Sequence, residues 1–266
     1  MLDTVTAQKH EVKASSSLNG LDRIVAVLDA LRESPGATLA AVARATGLSE
    51  PTTHRYLAAL REHRLVTRDS ESNTYTLGIK LFELGHSALR GQDPRAAARP
   101  HLEALRDQFG ETSVLAVHDE DRLVIIAAVE ASHGVAKGAK VGEQDCWHST
   151  SLGKAILAEL DPDEARSLLC QGPLERFTSR TLTDPDEVLA SLRRVRADGV
   201  AVDDEESEIG LRCVGAVVRD AHGAPTYAIS VSGPTYRITL DAVPRISEAV
   251  RRAAAAISTE LGHLGA

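Results

Sequence analysis

The chain has 266 residues, 43% of them hydrophobic but only 3% aromatic, and a formal net charge of -8 at pH 7. That length holds one large domain or two, with a core of aliphatic side chains. Cys146, Cys170 and Cys213 make no disulfide framework, and no apolar run approaches the roughly 18 residues of a membrane span, so a reduced cytoplasmic protein with no membrane partner is expected. The acidity is unevenly spread. Residues 1–90 hold 11 Lys and Arg against 10 Asp and Glu, leaving 19 against 28 for residues 91–266. The negative total therefore does not exclude nucleic acid as a partner of the first third.

Residues 1–17 have no apolar block and are read as a disordered tail. Leu21, Ile24, Val25, Leu28 and Leu31 follow helical spacing, and Ser34-Pro35-Gly36 ends that helix. Thr38 is placed to cap a second helix with Leu39, Val42 and Ala43 on its apolar stripe. Gly47 supplies a turn, and Ser49 caps a third helix with Pro51 in its first turn. On this third helix Thr53, Tyr56, Leu57 and Leu60 share one face. Thr52, Arg55 and Ala59 share the opposite one, with His54 on its flank. Hydroxyl, small and guanidinium side chains suit base edges and phosphates in a major groove. The stretch Thr38–Arg64 thus reads as a helix-turn-helix, a plain helical hairpin being the alternative. Arg55, Arg61, Arg64 and Arg68 add a small basic patch.

Leu65–Arg68 and Thr74–Leu77 alternate around a polar DSESN turn, either the wing of a winged helix or an ordinary edge hairpin. Arg68, Asn73 and Tyr75 are its candidates for a phosphate backbone. The expected DNA-contacting set is Thr38, Ser49, Thr52, Thr53, His54, Arg55, Arg61, Arg68, Asn73 and Tyr75. Residues 18–77 are assigned to a winged helix-turn-helix DNA-binding domain, and residues 78–92 to a linker helix. Its Ile79, Leu81, Phe82, Leu84 and Leu89 are apolar on more than one face and require a partner.

Residues 93–266 mix helices and strands. Helices are predicted over Arg95–Phe109, Ser151–Leu160, Asp163–Leu169, Pro185–Arg196 and Thr239–Leu261. Strands are predicted over Thr112–His118, Arg122–Val129, Lys137–Gly142, Val200–Asp203, Val214–Arg219 and Tyr227–Ser232. This is an α+β pattern with a largely antiparallel sheet, and it has no glycine-rich phosphate loop. Four segments offer a small polar pocket: Trp147–Lys154, where a polar loop enters a helix; the acidic turn Val202–Glu206; Gly210–Cys213; and Ser230–Ser232, whose two serines share a sheet face. Hydroxyls, a thiol and free N–H groups suit a small carboxylate. Glu205, Glu206 and Glu208 are read as a solvated turn.

The whole chain from about Leu18 to Leu261 resembles the IclR family of bacterial transcription regulators. ATGLSEPTTHRYLAAL resembles the family's recognition segment, HSTSLGKAILA its effector loop, and VAVDDEESEIGLRCVGAVVRDAHGAPTYAISVSGP its C-terminal signature. The resemblance implies a GAF-like effector-binding domain over residues 93–266 with Asp203, Cys213, Ser230 and Ser232 lining the pocket. It also implies backbone donors from Thr150, Ser151, Leu152 and Gly153, and a homodimer or a dimer of dimers. His148 belongs to the effector-loop pattern. Cys146-Trp147 stands where the family more often has a Pro-Leu-like pair, so Trp147 is expected to border the pocket and to favour an aromatic or larger ligand.

The expectation is a ligand-responsive DNA-binding regulator, repressor in sign, of a catabolic operon. Its partners are double-stranded operator DNA and a small carboxylate or aromatic effector. No catalytic residue, metal or cofactor is expected. The alternative is an enzyme acting on a small carboxylic acid, with Cys213 or a serine as nucleophile, His148 or His118 as base and Asp203 orienting it. Nothing in the spacing supports that triad. The C-x-H of Cys146 and His148, with His118, is likewise too sparse for a metal site.

Overall fold

The computed structural model describes residues 19–88, 93–131 and 140–263. The chain divides into two compact units, Met1–Arg90 and Gly91–Ala266. In the first, α1 (Gly20–Glu33) precedes β1 (Ala37–Thr38), α2 (Leu39–Thr46), α3 (Glu50–Glu62), β2 (Val66–Arg68), β3 (Thr74–Leu77) and α4 (Ile79–Ala88). A capping box starts α1: the Asn19 side chain accepts from Asp22 N while Asp22 accepts from Asn19 N. Thr38 caps α2 through Ala41 N, and Gly47 ends it at φ 68°, a left-handed position that favours glycine. Val27, Leu31, Val42, Leu57, Leu60, Val66 and Tyr75 form the core of this unit.

A two-residue strand that no alternation announces completes the hairpin sheet, in the antiparallel order β1-β3-β2. Ala37 pairs with Tyr75 and Gly36 N donates to Tyr75 O. Long-range pairing, not local pattern, makes β1 a strand.

The second unit is a five-stranded antiparallel sheet in the order β5-β4-β8-β7-β6. Its strands are β4 (Thr112–Asp119), β5 (Arg122–Val129), β6 (Ala201–Asp204), β7 (Leu211–Val218) and β8 (Tyr227–Pro234). Its helices are α5 (Pro94–Phe109), α6 (Ser151–Leu157), α7 (Pro162–Leu169), α8 (Pro185–Asp198) and α9 (Val243–Glu260). Alternation along the strands separates two cores. Leu115, Val214, Ala216, Ile229 and Val231 pack with α5 and α9. Val114, Ala116 and Ala228 pack with α6, α7 and α8.

Several boundaries differ from the sequence expectation; the strand expected from Val214, for instance, begins at Leu211. The strand expected over 137–142 falls partly outside the described residues; Val141 and Gly142 form a turn, and the pairing moves to an isolated Val124–Gln144 bridge. Helix α6 stops at Leu157, and the Arg196 guanidinium donates to Ala158 O and Leu160 O beyond its end. Helix α9 begins at Val243, because Thr239–Ala242 is taken up by turns closed by Ala242 N to Thr239 O. No helix among the described residues is long and apolar enough to cross a membrane.

Candidate functional site

On α3 the helical phase sorts the residues cleanly. Thr53 is 0% exposed beside buried Leu57 and Leu60, and its hydroxyl donates to Ser49 O at 3.1 Å. His54, Arg55 and Arg61 are exposed and Thr52 is half-buried. The Arg55 guanidinium lies 5.6 Å from the centroid of the Tyr56 ring. Ser49 holds the N-cap position, but its hydroxyl donates to Thr52 Oγ1 at 2.9 Å and no helix N–H is bound to it. In the hairpin Tyr75 is 6% exposed and belongs to the core. Arg68 donates to Asn73 Oδ1 and lies over the Tyr75 ring. Thr53 and Tyr75, expected at DNA, are thus core residues, one through helix phase and the other through strand alternation. Thr38, Ser49, His54, Arg55, Arg61, Arg68 and Asn73 are exposed.

The second site follows from sheet register. Asp203 pairs with Cys213 and Cys213 with Ser232; one pleat further, Gly215 pairs with Ser230 and Ser230 with Val114. Residues two apart on β7 and β8 point to one face, and that face meets the start of α6. A Cβ on Gly215 would stand 2.9 Å from Ser151 O, so the glycine admits the helix to the sheet. The result is a cavity of about 180 Å³ lined by Val114, Ile125, Glu143, Gln144, Asp145, Thr150, Ser151, Leu152, Asp203, Ser207, Leu211, Cys213, Ser230 and Ser232. Seven residues picked from the sequence converge there: Thr150, Ser151, Leu152, Asp203, Cys213, Ser230 and Ser232.

Trp147, His148 and Gly153 do not line the cavity. The Trp147 indole donates to Asp121 O at 3.0 Å and meets the His118 ring edge-on, within the core beneath α6. It does not border the pocket, contrary to the sequence expectation. His148 is buried, 2.8 Å from Glu175 O and stacked on Phe177. Because a carbonyl only accepts, Nε2 carries the proton and Nδ1 faces Cys146 Sγ at 3.5 Å. Burial holds the His148 imidazole below its ordinary pKa and pushes the Cys146 thiol up, so both are held neutral. Gly153 N donates to Thr150 Oγ1, the cap of α6, so that N–H is already engaged.

Asp203 is 0% exposed and accepts from Glu206 N, Ser207 N and Ser207 Oγ, so it folds the acidic turn as well as lining the cavity. Cys213 Sγ lies 3.1 Å from Ser232 Oγ. Glu206 proves not to be part of a solvated turn: it is bound by buried Lys154, whose ammonium also donates to Val202 O at 2.7 Å. Burial pushes the Glu206 carboxyl above its ordinary pKa against the pull of Lys154. Sequence reasoning reached Leu211 through the Gly210–Cys213 segment but missed Val114, Ile125, Glu143, Gln144, Asp145 and Ser207 as lining residues. Val114 was legible only through cross-strand register, which no local signal encodes. A wider groove of about 480 Å³ between α6, α7 and α8 holds none of the expected residues. Among the described residues no group of three or more His, Cys, Asp or Glu is arranged to hold a metal ion.

A helix-turn-helix with a winged hairpin, in one chain with an α+β unit enclosing a small polar cavity, defines the class of two-unit DNA-binding regulators. Family models match twice, the IclR helix-turn-helix domain over residues 20–70 and the bacterial transcriptional regulator IclR C-terminal domain over residues 86–259. The chain belongs to the IclR family of transcriptional regulators. It is 33% identical over 244 residues to the HTH-type transcriptional regulator BhcR of Paracoccus denitrificans, covering 92% of this chain and 88% of that one. It is also 33% identical over 252 residues to the transcriptional repressor IclR of Escherichia coli, covering 94% and 92%. A crystal structure of an IclR homolog from Microbacterium hydrocarbonoxydans complexed with 4-hydroxybenzoate is 26% identical. It has a TM-score of 0.79 and covers 91% of this chain and 98% of that one. These relatives are regulators, not enzymes, and the enzyme alternative finds no support among them.

Proposed function

We propose that this regulator is a repressor of a catabolic operon, released or engaged by a small organic acid held in the cavity between α6 and the sheet. The observation that carries the reading is the convergence of Asp203, Cys213, Ser230 and Ser232 with Thr150–Leu152 on one polar cavity. Its volume of about 180 Å³ lies below the roughly 300–1,000 Å³ of drug-sized sites. Small size favours a short acid over an aromatic one, although the Microbacterium homolog was crystallised with an aromatic acid. Hydroxyls of Thr150, Ser230 and Ser232 are the groups to orient such a ligand. Substituting Ser230 by Leu fills the cavity. Ligand at about one hundred times its Kd stabilises the native state by about 2.7 kcal/mol. A panel of organic acids is therefore expected to raise the Tm of the wild type and not of Ser230→Leu. An equal rise in both proteins places the ligand elsewhere.

Operator contact is assigned to the exposed face of α3, with Thr52, His54 and Arg55 at the bases and Arg61 toward phosphates, joined there by the cap residues Ser49 of α3 and Thr38 of α2. Arg55→Ala is expected to weaken operator binding by about 1–3 kcal/mol if Arg55 reads a guanine, and less selectively if it meets a phosphate. Fluorescence anisotropy on operator and unrelated duplexes separates the two. Binding unchanged on both would remove α3 from the groove.

A homodimer is proposed from the apolar surface of the first unit. Leu21 and Val25 on α1 are 67% and 49% exposed, and Ile79 and Phe82 on α4 are 66% and 65% exposed. Each pair lies on one helix face, and such stripes call for a partner helix. Two recognition helices would then meet half-sites about 34–36 Å apart. Effector binding acts by changing the population of dimers with that spacing.

A further inference from the structure

We infer that Thr178 and Thr181, on the loop between α7 and α8, are positioning residues for the effector: they clamp the acidic turn from outside and so hold the Asp203 carboxylate at the ligand. This rests on the proposal that the cavity holds a small acid. Neither threonine lines that cavity. Both are nonetheless buried, at 6% and 2% exposure, in a loop whose neighbouring residues are mostly exposed. Buried hydroxyls require partners, and these reach across the fold for them. Thr178 Oγ1 donates to Glu205 O at 2.7 Å, and Thr181 Oγ1 donates to Glu206 O at 2.6 Å. Each also accepts from its own loop: Thr178 from Arg180 N at 3.0 Å, Thr181 from Phe177 N at 3.2 Å and Thr178 N at 2.9 Å. Arg180 adds ion pairs to Asp204 at 2.7 Å and Glu205 at 3.2 Å.

The acidic turn depends on such support. Glu205 sits at φ 61°, a left-handed conformation that a side chain of its kind rarely adopts. On the inner side Asp203 accepts from Glu206 N at 2.8 Å and from Ser207 N at 3.2 Å. The turn is therefore bonded outward through its carbonyls to the threonines and inward through its N–H groups to Asp203. Loosening the outer bonds loosens the inner ones. A carboxylate offers roughly four acceptor positions, and Glu206 N, Ser207 N and Ser207 Oγ occupy three. The remaining capacity suits a donor on the ligand, and it moves when the turn moves. The same loop braces the opposite wall. Glu175 O lies 2.8 Å from His148 Nε2, and Phe177 stacks on the His148 ring, two residues before the Thr150 cap of α6.

Hydrogen–deuterium exchange of the full-length protein, read at Glu206 and Ser207, follows the turn directly. Thr178→Val and Thr181→Val are expected to speed exchange there about tenfold through the loss of a buried hydrogen bond. Thr178→Ser and Thr181→Ser keep the hydroxyl and should restore slow exchange. Arg180→Ala, whose side chain is 53% exposed, spares the core and should give a rise of about twofold. Selectivity separates positioning from plain loosening. Propionate and lactate differ by one hydroxyl, the donor that Asp203 would accept. The wild type is expected to bind lactate about fivefold more tightly than propionate in titration calorimetry. The valine variants should lose most of that preference and the serine variants keep it. Unchanged exchange in the valine variants, no rescue by serine, an equal lactate preference in all the proteins, or a uniform loss of affinity for both acids overturns the inference. Binding of neither acid by the wild type counts against the small-acid reading instead, and the exchange rates with their serine rescue still decide the clamp.

Discussion

Lys154→Met is expected to destabilise the protein by about 3–5 kcal/mol, the cost of stranding a buried charge. Lys154 has only 6% of its side chain exposed and Glu206 14%. The pair joins the start of α6 to the turn after β6, the two walls that enclose the cavity. Lys154 satisfies one Glu206 oxygen and Val202 O, while Glu206 Oε2 has no hydrogen-bond partner among the described residues. With Met in place of Lys, the carboxylate keeps its burial and loses its counter-charge. Removing both charges, as Lys154→Met with Glu206→Leu, should recover most of the loss.

The pH dependence has a definite sign. Burial already raises the Glu206 pKa, and loss of Lys154 raises it further. A carboxyl whose folded pKa lies above its unfolded value contributes full stability below the unfolded pKa and loses it as pH rises through the folded one. The variant should therefore approach the wild type in acid and fall away toward neutral pH. Urea unfolding across a pH series reads this directly. A deficit independent of pH, or a double variant as unstable as the single one, would show that the pair is not what holds the walls together.

Gly153→Ala should cost about 3 kcal/mol, at the upper end for an overpacked site. Its Cβ would stand 2.4 Å from Trp147 O, 2.5 Å from Cys146 O and 2.6 Å from Trp147 Cα. All three are backbone atoms and cannot rotate away. The loop 146–150 would have to lift from α6, and with it the cap that Thr150 Oγ1 makes to Gly153 N at 3.1 Å. Calorimetry should show a lowered Tm in the absence of any ligand. A variant of normal Tm that fails only to bind effector would restore Gly153 to the ligand side of the loop.

That contrast shows where sequence reasoning reaches and where it stops. Helix periodicity located α1, α2 and α3 because their apolar faces recur at fixed spacing, and Asp184 ahead of Pro185 marks the start of α8, whereas the Asp161 cap of α7 emerged only in the structure. The α3 wheel put Thr53 on the face with Leu57, so its burial was already written in the pattern, and counting it among DNA contacts overrode that phase. For the cavity, the family resemblance supplied Asp203, Cys213, Ser230 and Ser232, and the register of four strands explains why they meet. Trp147 and Glu206 were misjudged for one reason. Whether a side chain between a turn and a helix faces a cavity or a core depends on what packs over it. For Trp147 that was Asp121 and His118, and for Glu206 it was Lys154, 52 residues away.

The central claim, that α3 reads an operator under effector control, is tested most directly by selecting and sequencing fragments of the source genome bound by the purified protein. Wild type and Arg55→Ala should be run in parallel at one stated salt concentration, because phosphate contacts are salt-sensitive. The account predicts enrichment of a few inverted-repeat sites by the wild type alone, beside genes that name the pathway of the effector. Equal enrichment by both proteins, or none by either with and without the panel of organic acids, would contradict it.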